Sequence, residues 1–425
     1  MLLRFRAENF LSIRDPEELN LTASSLKDRE EGLIDCGTAS GRRALPAAVI
    51  YGANASGKSN LLEAIGFMRR AVCYSHSRSE PGDPIPRRPF LLDEDAPKKP
   101  SVFDADFVHD GVRYHYGFEV TDEAFQAEWL YSFPHGRQRT LFEREGKEFS
   151  FGRELPGRNK VIEDLTRPNS LFLSAAAQND HEMLTPIRGF FASIGHASAT
   201  VPPPPVLANR LKDKRIQDRA AEFLEKVNTG VAAMRLREIE TPQEIRSFQK
   251  AFSSALQAMG QDAPEITVDD VDKINVLELA HKGSEGKTHF IDPDSESAGT
   301  KKLLANLPAI FRALDRGSVV LIDELDSSLH TQACEAVLSL FASKETNPLG
   351  AQLIATTHDT NILRSQFLRR DQVWFTEKDD EGATHLFPLT DFRIRKGDNL
   401  AKGYLQGRFG AVPFSGPVPK LTGTG

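Results

Sequence analysis

The chain has 425 residues, a formal net charge of −7, 40% hydrophobic and 27% charged residues, the profile of a globular protein with two or three domains or one large domain with an insertion. The charge excludes a global basic field for nucleic acid or anionic lipid and leaves only local grooves, with pairs such as Arg42-Arg43, Arg69-Arg70, Arg87-Arg88 and Arg369-Arg370 read as solvated faces. No apolar run approaches the ~20 residues of a spanning helix, "MLLRFRAENF" lacks the core of a signal peptide, and Cys36, Cys73 and Cys334 share no metal-like spacing, so the expectation is a cytoplasmic protein with reduced thiols and no membrane partner.

Residues 1–50 predict short strands and turns, and "ALPAAVIYG" predicts a buried strand entering a glycine loop. "KSNLLEAIGFMRRAV" follows with Leu61, Leu62, Ile65, Met68 and Val72 at helical spacing. The Pro- and charge-rich residues 76–100 predict a loop. Residues 101–153 predict an antiparallel meander, punctuated by turns such as Asp110-Gly111 and Glu145-Gly146. "SLFLSAAAQND" (170–180) predicts an apolar strand with Gln178 at its polar end. "VPPPPV" (201–206) predicts extended chain, and Leu207 to about Gly260 predicts charged, amphipathic helices.

"INVLELAHKGSEGKTHFID" then predicts a hairpin. "SAGTKKLLANLPAIFRAL" predicts a helix with Leu303, Leu304, Leu307, Ile310, Phe311 and Leu314 on one side, kinked or broken at Pro308. "SVVLIDELD" and "AQLIATTHD" predict buried strands, "HTQACEAVLSLFAS" a helix, and "DQVWFTEKD" with "THLFPL" a hairpin. This order predicts an N-terminal lobe over 1–185, a helical insertion and hairpin over 186–290, and a C-terminal lobe over 291–425.

Gly52-Ala53-Asn54-Ala55-Ser56-Gly57-Lys58-Ser59 fits GxxxxGK[ST] between a strand and a helix. That context turns a glycine-rich bend into a phosphate cradle. Successive N–H groups wrap a β-phosphate, Lys58 reaches the β- and γ-phosphates, and Ser59 offers a hydroxyl to Mg²⁺. The strand before Asp323-Glu324 delivers both carboxylates where ligands of open α/β sheets bind, Asp323 for Mg²⁺ and Glu324 to orient and deprotonate the attacking water. His358 ends another buried strand and is a candidate contact to the γ-phosphate; alone it would read as structural. Ser297 reads as a helix cap or, with Gly299, as a second phosphate-binding helix start that serves another subunit's nucleotide. Gln178 reads as a strand end or as a γ-phosphate and metal sensor.

The phosphate loop (52–59, with Asn60 next to it), Gln178, "SAGT" (297–300), "LIDELD" (321–326) and His358 stand in the order found in ABC-type ATPases of the RecF/Rad50/SMC kind. The stretches "NSLFLSAAAQND", "SESAGTKKLL", "DELDSSLH", "TTHDTNIL" and "DFRIRKGDNLAKGYLQGRFGAVP" resemble, more narrowly, the AAA15/AAA21 class of bacterial ATPases. That class includes AbiL-, RloA- and PARIS-type anti-phage proteins. The resemblance implies an α/β fold, a P-loop NTPase with an ABC-ATPase-like head carrying an antiparallel β meander and a helical insertion lobe. It implies ATP and Mg²⁺, and a homodimer or higher homo-oligomer in which Ser297 and Gly299 of one subunit close on the nucleotide held by Lys58 of the other. It places Asp326 to His330 along that interface.

It further implies a separate effector, a Toprim or RloB-like nuclease, and a phage trigger. The chain departs from transporters in reading "ESAGT" for LSGGQ and Leu329-His330 for Leu-Asp. A DNA-binding repair ATPase is the alternative expectation, and a scaffold with structural ATP the third.

Overall fold

The computed structural model describes residues 1–38, 41–197, 201–241, 273–395 and 397–411. They form two compact units, Met1–Ala197 with Arg312–Gly425, and Ser198–Phe311.

The first unit carries two main sheets. One is fully antiparallel, in the order β10–β9–β8–β7–β6–β1–β2. It comprises β1 (Leu2–Glu8), β2 (Glu17–Asn20) and the meander β6 (Ser101–His109), β7 (Val112–Val120), β8 (Phe125–Phe133), β9 (Arg139–Glu145) and β10 (Glu148–Phe151). A small ribbon, β3 (Ile34–Asp35) with β4 (Arg43–Ala44), lies between them in sequence. The second sheet runs β11–β15–β16–β5–β17–β18. Its strands are β5 (Ala47–Gly52), β11 (Gly195–His196), β15 (Val319–Ile322), β16 (Gln352–Thr356), β17 (Val373–Lys378) and β18 (Thr384–Pro388). All neighbours are parallel except β17 and β18, which form the expected hairpin. This is the parallel sheet of a P-loop NTPase. β5, β15 and β16 are buried at every residue, as strands covered on both faces must be.

α1 (Lys58–Tyr74) leaves the end of β5 and fills the space between the sheets. Its Leu61, Ile65 and Met68 share one core with Phe103, Phe107 and Phe118 of the meander and with Ile50, Leu321 and Ile354 of the parallel sheet. Each such side chain contributes about 1.5–3 kcal/mol through burial. The same core holds α1 rigidly behind the loop it follows. α2 (Asn159–Leu165), α3 (Phe172–Gln178) and α4 (Leu184–Ser193) complete this side.

α3 overturns one expectation, for "SLFLSAAAQND" is a helix, not a strand. The three consecutive alanines favour helix. Its first N–H groups also find a tertiary cap: Glu128 of β8, fully buried, accepts from Phe172 N at 2.6 Å and Leu173 N at 3.0 Å, and from Tyr116 Oη at 2.9 Å. Burial raises the Glu128 pKa, against Arg144 and these hydrogen bonds.

The second unit contains α5 (Pro204–Arg210), α6 (Lys214–Lys226) and a three-stranded sheet β12 (Val231–Glu240)–β13 (Lys273–Lys282)–β14 (Thr288–Ile291). β13 and β14 are the expected hairpin. β12 was expected to be helical. Instead it pairs antiparallel with β13 from Val231 to Glu240, and Arg235 and Arg237 both reach Glu278 across the strands. Its "MRLREIE" alternates at period two, the pattern of a half-exposed strand. The rest of the expected helical stretch, 242–260, lies outside the described residues.

α7 (Ala298–Arg316) runs on from this unit into the first and passes Pro308 without a break. Leu303, Leu304, Leu307, Ile310, Phe311 and Leu314 are all buried, and this apolar row outweighs the hydrogen bond that proline removes. α8 (Thr331–Phe341) and α9 (Leu400–Leu405) finish the helices. Among the described residues no helix is long and apolar enough to cross a membrane.

Candidate nucleotide-binding site

The register β15–β16–β5 brings three parallel strand ends side by side, with Ile322 opposite Ala355 and Thr356 opposite Ile50. The 53–57 loop follows the end of β5, the Asp323 segment follows β15, and Thr357-His358 follows β16. Ligands of open α/β sheets bind at such ends.

Two glycines shape the loop for steric reasons. A Cβ on Gly52 would lie 2.5 Å from Ser56 Oγ and from two oxygens of Thr376. A Cβ on Gly57 would lie 2.1 Å from Thr384 Oγ1, and its φ of +103° strains any side chain. Around them a chain of short polar contacts braces the loop against the β17–β18 hairpin. Ser56 Oγ meets Thr376 Oγ1 at 2.6 Å, Thr384 Oγ1 donates to Ser56 O at 2.9 Å, Ser12 Oγ meets Thr384 Oγ1 at 2.7 Å, and Asn60 Nδ2 donates to Ser12 Oγ at 2.6 Å. The side chains of Ser56 and Asn60 are thus engaged in holding the loop. Asn54 and Ser59 are exposed on it.

α1 starts without a side-chain cap and without an acidic residue in its first turn. Most helices place Ser, Thr, Asp or Asn there to satisfy the first N–H groups. Here no side chain takes the N–H groups at the helix start, Asn60 N donates to Gly57 O at 3.0 Å, and the positive helix end is open to an anion.

Lys58 is 6% exposed, and its ammonium donates to Gly52 O at 2.9 Å and Ala53 O at 2.8 Å. Burial pushes its pKa down, while the nearby charges of Asp323, Glu324 and Asp326 pull it up. The charges of the acidic strand end therefore reach the loop lysine.

The acidic end is organised by a residue that pattern reading passed over. Thr356, fully buried, donates from Oγ1 to Asp323 Oδ1 at 2.6 Å. The same Oγ1 accepts from Glu324 N at 2.7 Å, and the Thr356 carbonyl accepts from Leu325 N at 2.8 Å. These bonds hold Glu324 at a φ of +51°, a left-handed backbone unusual outside glycine. Glu324 itself is exposed. Asp326 accepts from His358 N with both oxygens, at 3.2 and 3.1 Å, so it fixes the backbone that carries the exposed His358 ring. Thr331 Oγ1 donates to Asp359, and Tyr51 Oη to Asp359 O at 3.3 Å, stitching the same segments from behind. Burial, with Asp326 and Asp359 nearby, pushes the Cys334 thiol up to about 12, so it stays a neutral packing group.

Gln178 is the exposed last residue of α3, and none of the hydrogen bonds among the described residues ties it to the loop or to Asp323. Ser297 caps α7: its Oγ accepts from Thr300 N at 3.1 Å and meets Thr300 Oγ1 at 2.9 Å, with Gly299 in the first turn behind it. Ser297 and Gly299 belong to the second unit, the other candidates to the first.

Among the described residues no cluster of three or more His, Cys, Asp or Glu could hold a metal. The donors present, the Ser59 hydroxyl and the Asp323 carboxylate, suit Mg²⁺, which takes few protein ligands and fills its shell with water and phosphate oxygens.

No curated protein matches the chain. Among solved structures, the SMC head domain from Thermotoga maritima is similar over 91% of this chain and 98% of its own length, at 15% identity and a TM-score of 0.39. Residues 47–364, from the strand that feeds the phosphate loop to just beyond His358, match the family described as "AAA domain, putative AbiEii toxin, Type IV TA system", and the chain belongs to that family.

Proposed function

We propose that the protein is a Mg²⁺-dependent, ATP-hydrolysing switch that works as an ABC-type head. The observation that carries this reading is the placement of the Lys58 loop after β5 and of the Asp323–Glu324–Asp326 segment after β15, at the same end of the parallel sheet on either side of β16, where the acidic charges reach Lys58. In this reading the N–H groups of the loop and of the first turn of α1 hold the β-phosphate, and Lys58 exchanges the carbonyls of Gly52 and Ala53 for phosphate oxygens. Ser59 and Asp323 hold Mg²⁺, with Gln178 as a further candidate. The metal, when bound, neutralises charge on the phosphates and polarises them. Glu324 orients and deprotonates water, and His358 contacts the γ-phosphate. Slow turnover follows if conformational change limits the cycle.

The sequence carries one GxxxxGK[ST] loop, which supports a two-chain arrangement in which Ser297 and Gly299 of one chain complete the site of another. The family description, with its AbiEii toxin context, supports a role as sensor or regulator in anti-phage defence. The partners would be a separate Toprim or RloB-like effector and a phage trigger, in the cytoplasm.

Lys58→Ala should abolish ATP binding, and Glu324→Gln should preserve binding, stop hydrolysis and trap the assembled form in light scattering. Wild-type hydrolysis by both variants would end the reading. Hydrolysis that rises with duplex DNA and loses that stimulation steeply with salt would favour a DNA-binding repair ATPase instead.

A further inference from the structure

A cavity of about 760 Å³ lies along the later turns of α1 and the 75–88 segment that follows it. It falls within the ~300–1,000 Å³ of pockets that hold small molecules. Its residues are not those of the phosphate-loop site. Aromatic surface comes from Phe67 and Tyr74 of α1 and Phe125 of β8.

The charges on its walls are unbalanced. Arg70 and Arg88 both donate to the same Glu63 Oε1, at 2.7 and 2.6 Å. The Arg78 guanidinium lies 4.0 Å from the centroid of the Tyr74 ring and makes no ion pair among the described residues. Besides Arg87, the cavity wall thus carries three guanidinium groups and one carboxylate, which two of them share. Arg87, also on the wall, is spent: it pairs with Asp122 and donates to the carbonyls of Pro97 and Lys99.

A second observation is independent of charge. Asn169 lines the same cavity and is 2% exposed. Its amide hydrogens go to the carbonyls of Glu80 and Asp83, at 2.8 and 3.1 Å, and its Oδ1 has no hydrogen-bond partner. Buried polar groups in native proteins nearly always have one; this oxygen is closed off from solvent, and a ligand amino or hydroxyl group would reach it only with a shift of the Asn169 side chain.

We propose that this cavity binds a nucleoside monophosphate or a ligand of that chemistry, a flat ring carrying a phosphate, at a site separate from the phosphate loop. Planar guanidinium groups recognise phosphate through paired N–H donors. Aromatic rings and a stacked arginine take up the face of a base. The bound phosphate would compete with Glu63 for Arg70 and Arg88. One helix would then report to both sites, since α1 starts with Lys58 and Ser59 and ends on the cavity wall.

The test is calorimetric titration of the full chain, presaturated with Mg-ADP, with AMP, GMP, CMP and UMP in turn and with inorganic phosphate. At least one monophosphate should bind at one further site per chain, about tenfold or more tighter than phosphate alone, because the base stacks. Arg78→Ala combined with Arg88→Ala, both at exposed positions, should weaken that binding about tenfold or more while leaving the melting temperature unchanged. Lys58→Ala should retain it, which separates this site from failure of the loop reading. Absence of binding by all four at millimolar concentration, phosphate binding as tightly as the monophosphates, equal binding by the double variant, or loss in Lys58→Ala would each overturn the proposal.

Discussion

The phosphate loop at the end of β5 and the acidic tip at the end of β15 belong to one candidate site but are held by different means. The loop is fixed by exclusion: Gly52 and Gly57 leave no room for a methyl group, and three hydroxyl-bearing residues outside the loop, Ser12, Thr376 and Thr384, together with Asn60, brace it. The tip is fixed by attraction to one side chain, Thr356, which serves the Asp323 carboxylate and the Glu324 amide at once. A sterically fixed element fails when anything is added. One fixed by a single hydroxyl keeps its chain path when the hydroxyl is lost, but loses its aim.

The largest expected effect breaks the loop. Gly57→Ala sets a methyl group 2.1 Å from Thr384 Oγ1 at a φ of +103°, and ADP binding should vanish in a titration. Adding Thr384→Ala removes the two Thr384 contacts but leaves Ser12 Oγ at 2.9 Å and the backbone strain, so binding should return only in part. Full recovery would show that sterics alone decide; normal binding by Gly57→Ala itself would show that the hairpin gives way.

The next effect sharpens the contrast at the tip. Thr356→Val keeps the shape and removes the hydroxyl. ADP affinity should stay near wild type while kcat falls about 10–100-fold, since small misplacements of reacting groups cost that much. Thr356→Ser, which restores the hydroxyl, should rescue kcat. A variant whose melting temperature drops while kcat holds would make Thr356 a packing residue and nothing more.

The same division explains what the sequence discloses. Glycine, lysine and serine at fixed spacing after an apolar run spell out the loop, because its chemistry is local and mostly backbone. Asp323 and Glu324 are legible for the same reason. Thr356 sits in "ATTHD" beside His358, but its role comes from the neighbouring parallel strand, 33 positions from Asp323, and no local pattern carries that. α3 is a similar case. "SLFLSAAAQND" looks like a strand until Glu128, 44 positions before Phe172, caps it. β12 was readable, since "MRLREIE" alternates, but the charged helix before it drew the pattern past Gly230. The fold of the parallel sheet was legible because buried parallel strands are apolar throughout; the tertiary caps and braces were not.

The smallest expected effect concerns pH and again separates the braces of the two strand ends. His385 follows Thr384 on β18, so it stands one residue from the contact that confines Gly57. Its Nδ1 faces Glu17 Oε1 at 3.1 Å and its Nε2 faces Asp379 Oδ2 at 3.2 Å. A neutral imidazole donates from one nitrogen only, so two carboxylates call for the charged ring. Burial works against that charge but is outweighed by Asp379 and Glu17, and the folded pKa is raised above the usual value near 6.5. A raised pKa means that the folded state holds the proton more tightly. The stabilisation is therefore complete below about pH 6.5 and fades as the pH climbs through the folded value. It is modest because the side chain is 43% exposed and salt screens it, and because Arg14 still pairs with Asp379. Melting temperature followed across that window should fall slightly in the wild type and less in His385→Gln. The acidic tip, braced by a hydroxyl that does not titrate there, should leave kcat of His385→Gln at the wild-type value. An equal slope in both proteins would mean that Glu17 and Asp379 are neutralised without the imidazole, and that the hairpin's grip on the loop does not depend on charge.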